Sequence, residues 1–132
     1  MGTGLIYCVS RKKRALFGGL GINMELTWFG TAGFRIKTDK HTILIDPYFS
    51  RNEKALPRQP LKPSDIQDGE MIFISHGHFD HIYDVPTISS NIGARVYCGK
   101  GIGETLIRNG MERGQIHEVN FDGENFCLLY TS

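Results

Sequence analysis

The chain has 132 residues, of which 40% are hydrophobic and 22% charged, a composition that fits one globular domain and excludes an intrinsically disordered protein. Its formal net charge is +1, but the stretch RKKR at residues 11–14 supplies four of the 15 basic residues, and the first 23 residues contain no acid. The other 11 basic residues against 14 acidic ones leave residues 24–132 at about −3, so no nucleic-acid-binding surface is indicated.

The three cysteines, Cys8, Cys98 and Cys127, are far apart and form no CxxC pair, which indicates free thiols in a reducing compartment. No apolar run approaches the ~20 residues that a membrane span requires. The apolar segment before RKKR is too short for a secretory signal, and its charges lie on the wrong side. We therefore expect a cytoplasmic location without membrane attachment.

Residues 1–23 differ from the rest of the chain because they are basic and rich in glycine and show no sustained hydrophobic periodicity. We interpret them as a loose leader or an extended start of the reading frame. The alternative is a tail that binds nucleic acid or an anionic surface through its four adjacent positive charges. The patterned domain then covers residues 24–132.

The first part of this domain consists of short apolar or alternating runs bounded by turn residues, which are typical of strands. A proline-rich polar segment at 48–65 follows them and predicts a long surface loop. The runs predict an antiparallel meander of three strands, at 24–30, 32–39 and 41–47, with a hairpin turn at 38–41.

From residue 70 onward, strand patterns alternate with helix patterns. Such alternation favours parallel neighbouring strands joined by right-handed crossovers. The predicted strands are 70–75, 94–99 and 115–121, and the predicted helices are 85–93, with Pro86 in its first turn, and 101–110. The fold class is therefore α/β, with a mixed sheet and helices on at least one face.

Three of the five histidines fall within six residues, directly after the apolar strand at 70–75. His76, His78, Asp80 and His81 offer imidazole and carboxylate ligands of the kind that suit zinc, manganese or iron. A His-x-His pair presents two nitrogens to one ion, and the Asp-His pair can reach a second ion ~3.5–4 Å away. We therefore predict a metal site at the end of this strand.

The remaining motifs are weaker. His41 and His117 are isolated in the sequence, and we interpret both as structural. The segment GKGIGET at 99–105 could cradle a phosphate, but it lacks the Walker spacing, which favours a flexible turn between strand and helix. No Gly-x-Ser-x-Gly occurs, and the cysteines have no paired base, so serine or thiol hydrolysis is not supported.

The segment SHGHFDH at 75–81 resembles the HxHxDH signature of the metallo-β-lactamase superfamily. The stretch from LTWFG to DPYFS, at 26–50, and the stretch from ARVYCG to FDGEN, at 94–125, extend the likeness. They are similar to the branch that contains L-ascorbate-6-phosphate lactonase-like and N-acylphosphatidylethanolamine phospholipase D-like hydrolases.

The resemblance implies that His76 and His78 ligate a first metal and that Asp80 and His81 ligate a second. It also implies a catalytic role for Asp80, which would orient the nucleophilic water and take its proton. Asp46, at the end of ILID, matches the aspartate that supports the ligands from behind, although a simple turn aspartate before a proline is the alternative. The implied cofactor is zinc, as one or two ions, with manganese as a further possibility.

The implied fold is a four-layer αββα sandwich, of which this chain resembles the N-terminal half. Three later ligands of the family pattern are missing here, since no histidine follows His117. An exposed apolar sheet face would favour association, so we expect a homodimer or a second chain that completes the fold.

The resulting hypothesis is a metal-dependent hydrolase, truncated or half-length, that cleaves a small-molecule lactone, ester or phosphodiester through metal-bound hydroxide. The alternative is a catalytically inactive metal-binding or self-associating half-domain. A third hypothesis, an RNA-processing nuclease of the same superfamily, is disfavoured by the net acidity of residues 24–132.

Overall fold

A computed structural model describes residues 13–14, 23–56 and 58–120. Within these ranges the chain forms seven strands, three α-helices and two short 3-10 helices at Pro63–Asp65 and Arg113–Gln115. The strands and helices are β1 (Lys13–Arg14), β2 (Met24–Gly30), β3 (Gly33–Thr38), β4 (Thr42–Ile45), β5 (Met71–Phe73), α1 (Phe79–Ile82), α2 (Val85–Ile92), β6 (Arg95–Gly99), α3 (Ile102–Arg108) and β7 (Ile116–Val119).

The strands form one sheet in which each strand pairs with its neighbour in the sequence, from β1 to β7. The pairs from β1 to β4 are antiparallel, which confirms the predicted meander, and the predicted hairpin turn closes with the Thr38 amide donating to the His41 carbonyl at 2.8 Å. Of the predicted leader, Lys13 and Arg14 pair with β2, while residues 1–12 and 15–22 lie outside the described part.

The pairs from β4 to β7 are parallel, as the alternation of strand and helix patterns predicted. Helix α2 contains Pro86 near its start and ends at Gly93, whose φ of +67° is the left-handed conformation that favours glycine. Helix α1 was not predicted, because four residues are too few to show a helical period.

The hydrophobic core lies on the face of the sheet that the helices cover. Leu44, Ile72 and Val96 pair in register across β4, β5 and β6, and each is fully buried. They pack in one cluster with side chains of α2 and α3, among them Ile88 and Leu106. The alternate positions of the same strands point to the opposite face of the sheet.

The carboxyl ends of parallel strands β4, β5 and β6 meet at one edge of the sheet, where ligands typically bind in α/β folds. Asp46 follows β4, the histidine cluster follows β5, and the glycine segment at 99–105 follows β6. The fold therefore brings three of the segments singled out in the sequence to the same place.

The proline-rich segment after β4 is a surface loop, as predicted, apart from the short 3-10 helix Pro63–Asp65. The Gln59 side chain anchors this loop by donating a hydrogen bond to the Phe29 carbonyl. Among the described residues, no helix combines the length and apolarity needed to cross a membrane.

Candidate metal centre

Asp46 ties the end of β4 to the end of β5. The residue is 3% exposed, and its side chain accepts hydrogen bonds from the Ser75 amide at 2.8 Å and the Ser75 hydroxyl at 2.6 Å. Its backbone has a φ of +42°, in the left-handed region that aspartate tolerates better than most residues. The turn after β4 is thus shaped so that this carboxylate faces the histidine segment.

The same carboxylate holds His81. Asp46 Oδ2 lies 3.0 Å from His81 Nδ1, and the His81 side chain is only 9% exposed. A carboxylate at this distance favours a proton on Nδ1 and therefore a lone pair on Nε2, which is the form of histidine that ligates metals. Asp46 therefore has the geometry expected of a residue that orients a ligand from behind.

His76 and His78 form the outer part of the cluster, and both are exposed. The Ser75 hydroxyl lies 2.9 Å from His76 Nδ1, and His76 Nε2 lies 2.9 Å from His78 Nδ1. The ring centroids of His76 and His81 are 3.9 Å apart. Three imidazoles are thus gathered at the end of β5, and Ser75 contacts both Asp46 and the nearer rings.

Asp80 lies at the border of the cluster. Its side chain is 50% exposed, and its Oδ2 is 3.6 Å from His81 Nε2. This distance places the carboxylate beside the free nitrogen of His81 while leaving it open to water. Asp80 thus lies beside His81, His81 packs against His76, and His76 contacts His78.

The donor set fits a metal ion in type and in part in geometry. Two nitrogens bound to one zinc at ~2.0–2.1 Å with tetrahedral angles lie roughly 3.3 Å apart. The 2.9 Å between His76 Nε2 and His78 Nδ1 is close to that separation. Within the described ranges, however, no group of three or more His, Cys, Asp or Glu side chains is arranged to hold an ion. The described residues thus offer a pair of convergent nitrogens rather than a closed site.

Asp84 is a buried carboxylate that the sequence analysis missed. It is 2% exposed, and it accepts hydrogen bonds from the Phe49 amide at 2.6 Å, the Ser50 amide at 2.8 Å and the Ser50 hydroxyl at 2.5 Å. These hydrogen bonds hold the loop after Asp46 against the junction of α1 and α2. An aspartate before a helix suggests an N-cap, and only the fold shows that the side chain serves another segment.

The glycine segment at 99–105 binds a carboxylate of the same chain, that of Glu118. The amides of Gly101 and Gly103 donate to Glu118 Oε1, each at 3.1 Å. A Cβ at Gly103 would lie 2.6 Å from the same oxygen, so the carboxylate is seated directly against the glycine. The turn interpretation of this segment is therefore supported, because its amides are engaged by β7.

The two isolated histidines have partners outside the cluster. His41 Nδ1 lies 2.8 Å from Glu70 Oε2, next to the hairpin turn. The His117 ring packs beside Tyr97, with 5.5 Å between the ring centroids. Both contacts are those expected of structural side chains.

A mixed sheet flanked by helices, with an HxHxDH segment at the end of a parallel strand, defines a domain of the metallo-β-lactamase type. Residues 41–128 match the family model described as a beta-lactamase superfamily domain. The chain belongs to this superfamily, which confirms the resemblance and the fold class predicted from the sequence.

Individual relatives agree with this assignment. The chain is 32% identical over 102 residues to a UPF0173 metal-dependent hydrolase of Lawsonia intracellularis, covering 76% of this chain and 43% of the relative. It is 34% identical over 101 residues to one of Methanopyrus kandleri, covering 76% and 40%.

Among solved structures, the metallo hydrolase Igni18 of Ignicoccus hospitalis superimposes with a TM-score of 0.62 at 26% identity. The match covers 80% of this chain and 42% of Igni18. The matches thus span about two fifths of the length of the two relatives above.

Proposed function

We propose that this chain carries the metal-binding segment of a metal-dependent hydrolase that acts on a small-molecule lactone, ester or phosphodiester. The observation that supports this most directly is the convergence of His76 Nε2 and His78 Nδ1, at 2.9 Å, beside a His81 held by a buried carboxylate. The relatives of this chain are named metal-dependent hydrolases, which agrees with the same assignment.

In this proposal His76 and His78 hold a first ion, and His81 Nε2 with Asp80 holds a second. Zinc suits this mixture of imidazole and carboxylate, and manganese is the alternative. A bound ion of this kind polarises a carbonyl or phosphoryl oxygen and lowers the pKa of water. Asp46 and Ser75 fix the orientation of the imidazoles, so little side-chain freedom is lost when a ligand binds.

Asp80 is the residue we assign to proton transfer. Its carboxylate is half exposed and lies 3.6 Å from His81 Nε2, so it is open to a water molecule beside His81. A carboxylate in this position can accept the proton of an attacking water and hand it to a leaving group. The substitution Asp80→Asn should therefore reduce turnover more than it reduces substrate binding.

A catalytic zinc site ordinarily has three protein ligands. The described part of the chain supplies no group of three, so the proposal requires a further ligand from other residues of the protein, from a second copy, or from a separate chain. We propose association as a homodimer, or with a chain that completes the fold. The same observation favours a second candidate function, a catalytically inactive domain that binds metal or self-associates.

Metal content and turnover, measured on one preparation, separate the two candidates. We would strip the protein with EDTA, titrate it with zinc by calorimetry, and assay p-nitrophenyl acetate, bis-p-nitrophenyl phosphate and a simple lactone. Zinc binding with metal-dependent turnover, both lost in His78→Ala and kept in His41→Ala, supports the hydrolase. Zinc binding without turnover supports the inactive metal-binding domain. Absence of zinc binding contradicts both the hydrolase and that domain, and leaves self-association to be tested by light scattering.

A further inference from the structure

Three aromatic rings lie together beside the histidine cluster. Phe79 and Tyr83 are 60% and 52% exposed, and their ring centroids are 4.6 Å apart. Tyr48 approaches Phe79 edge-on, with 6.0 Å between the centroids. Single exposed aromatic residues are ordinary, but a contiguous group of them next to a site marks a binding surface. We call Tyr48, Phe79 and Tyr83 the aromatic shelf.

The shelf is held in place from two sides. Phe79 and Tyr83 are four residues apart along α1 and its end, so they occupy the same face of that turn. Tyr48 comes from the loop after Asp46, and its hydroxyl donates to the Ser50 carbonyl at 3.0 Å. That loop is the one strapped by the buried carboxylate of Asp84. A ligand that meets these rings therefore loses little energy to ordering them.

The shelf adjoins the candidate metal centre. Phe79 stands in the chain between His78 and Asp80, and Tyr48, which meets the Phe79 ring edge-on, lies within electrostatic range of Asp80. Burial raises the pKa of Tyr48, and the negative charges of Asp84 and then Asp80 raise it further. The rings carry no charge of their own, so apolar contact is their main contribution to binding.

We propose that the aromatic shelf binds an uncharged apolar part of the substrate, an aryl ring or an acyl chain next to the bond that is cleaved. The assignment rests on the proposed hydrolase function and adds the class of substrate. The favoured substrates are then neutral esters or lactones with an apolar substituent, ahead of small polar ones.

Kinetic selectivity tests the shelf on the zinc-loaded full chain. We would compare kcat/KM for p-nitrophenyl hexanoate and p-nitrophenyl acetate, two neutral esters with the same leaving group. The hexanoate-to-acetate ratio should fall about five- to tenfold in Phe79→Ala and in Tyr83→Ala, because a large apolar contact is removed. Tyr83→Phe keeps the ring and should keep the ratio, as should Leu56→Ala, which removes an exposed apolar side chain from the surface loop.

Binding of a non-hydrolysed analogue separates failure of the shelf from failure of the hydrolase function. We would titrate N-phenylhexanamide into EDTA-stripped protein and follow chemical-shift changes by NMR. Weaker binding in both alanine variants, with Tyr83→Phe and Leu56→Ala unchanged, supports the shelf even if no ester is hydrolysed. Equal binding by all variants overturns the shelf even if esters are hydrolysed. A wild-type dimer that both alanine substitutions convert to monomer, with no amide binding, also overturns it by making these rings a contact between copies.

Discussion

Two loops at the same edge of the sheet differ in whether a side chain of the protein already occupies them. We call the histidine segment the open loop and the glycine segment at 99–105 the closed loop. The histidine segment follows β5 and the glycine segment follows β6, and these strands are parallel neighbours. In the first, the buried carboxylate of Asp46 holds Ser75 and His81 from inside. In the second, the carboxylate of Glu118 sits on the amides of Gly101 and Gly103.

The difference lies in which groups the carboxylate engages. Asp46 accepts the hydrogen bonds of Ser75 and lies beside His81, while His76 Nε2 and His78 Nδ1 face each other on the exposed side of the loop. Glu118 takes up the very amides that an external anion would need. A buried carboxylate, Asp46, therefore lies behind the first loop, and an exposed one, Glu118, occupies the second, although both loops follow strands of the same sheet.

The largest expected effect is on metal binding at the open loop. His78→Ala removes one of the two convergent imidazoles and should weaken zinc binding by about 100-fold or more. Loss of a residue that only hydrogen-bonds to a metal ligand already costs roughly 10–100-fold. Calorimetric titration of EDTA-stripped protein measures the affinity. His41→Ala is the control, because His41 pairs with Glu70 away from the cluster. Equal zinc affinities in wild type and His78→Ala would remove the basis for calling this loop open.

Asp46→Ala tests whether the inner carboxylate supports the open loop. The substitution strips Ser75 and His81 of their partner and places alanine at a φ of +42°, so the free energy of unfolding should fall by about 2–3 kcal/mol. Urea unfolding in EDTA measures the loss without any contribution from metal. Asp46→Asn, which tolerates the same backbone, should lose less, and Asp39→Ala at the exposed turn should change little. A loss below 0.5 kcal/mol would show that Asp46 is only a turn residue.

Cys98, which lies one residue before the glycine segment, should make the free energy of unfolding depend on pH. Burial, and to a lesser degree the charge of Glu118, raises the pKa of this thiol from 9.0 to about 11. Because the folded protein holds the proton more tightly than the unfolded chain, the neutral thiol contributes fully below pH 9 and loses its contribution as the pH rises towards 11. The stability of wild type relative to Cys98→Ala should therefore fall by about 2 kcal/mol between pH 9 and 11. Denaturant unfolding across that range measures it, and a constant difference would contradict the assigned environment.

The smallest effect is expected at Glu118. Glu118→Ala removes the acceptor for two backbone amides on a partly solvated surface, so the free energy of unfolding should fall by about 1 kcal/mol. Glu118→Gln retains a side-chain oxygen and should recover most of the loss. Glu104→Ala, which breaks an exposed pair with Arg113, should be near neutral. If Glu118→Ala and Glu104→Ala were equally mild, the closure of the glycine loop would contribute nothing measurable.

The strands and longer helices were readable from the sequence because their signals are local. The alternation at 24–30 and the capped run at Val85–Ile92 express the periods of strand and helix within a few residues. The clustering of histidines after a strand is also a local signal, and it located the candidate metal centre. A signal of this kind identified which residues form the candidate site.

Their partners were decided by the tertiary structure. Ser75 meets Asp46 across 29 positions of the chain, Asp84 meets Phe49 across 35, and Glu118 meets Gly101 across 17. Such contacts depend on strand order and on where each strand ends, and no short window of sequence contains that information. The sequence by itself determined the elements and the ligand types. Only the packed sheet decided which carboxylate lies behind the imidazoles and which one fills the glycine loop.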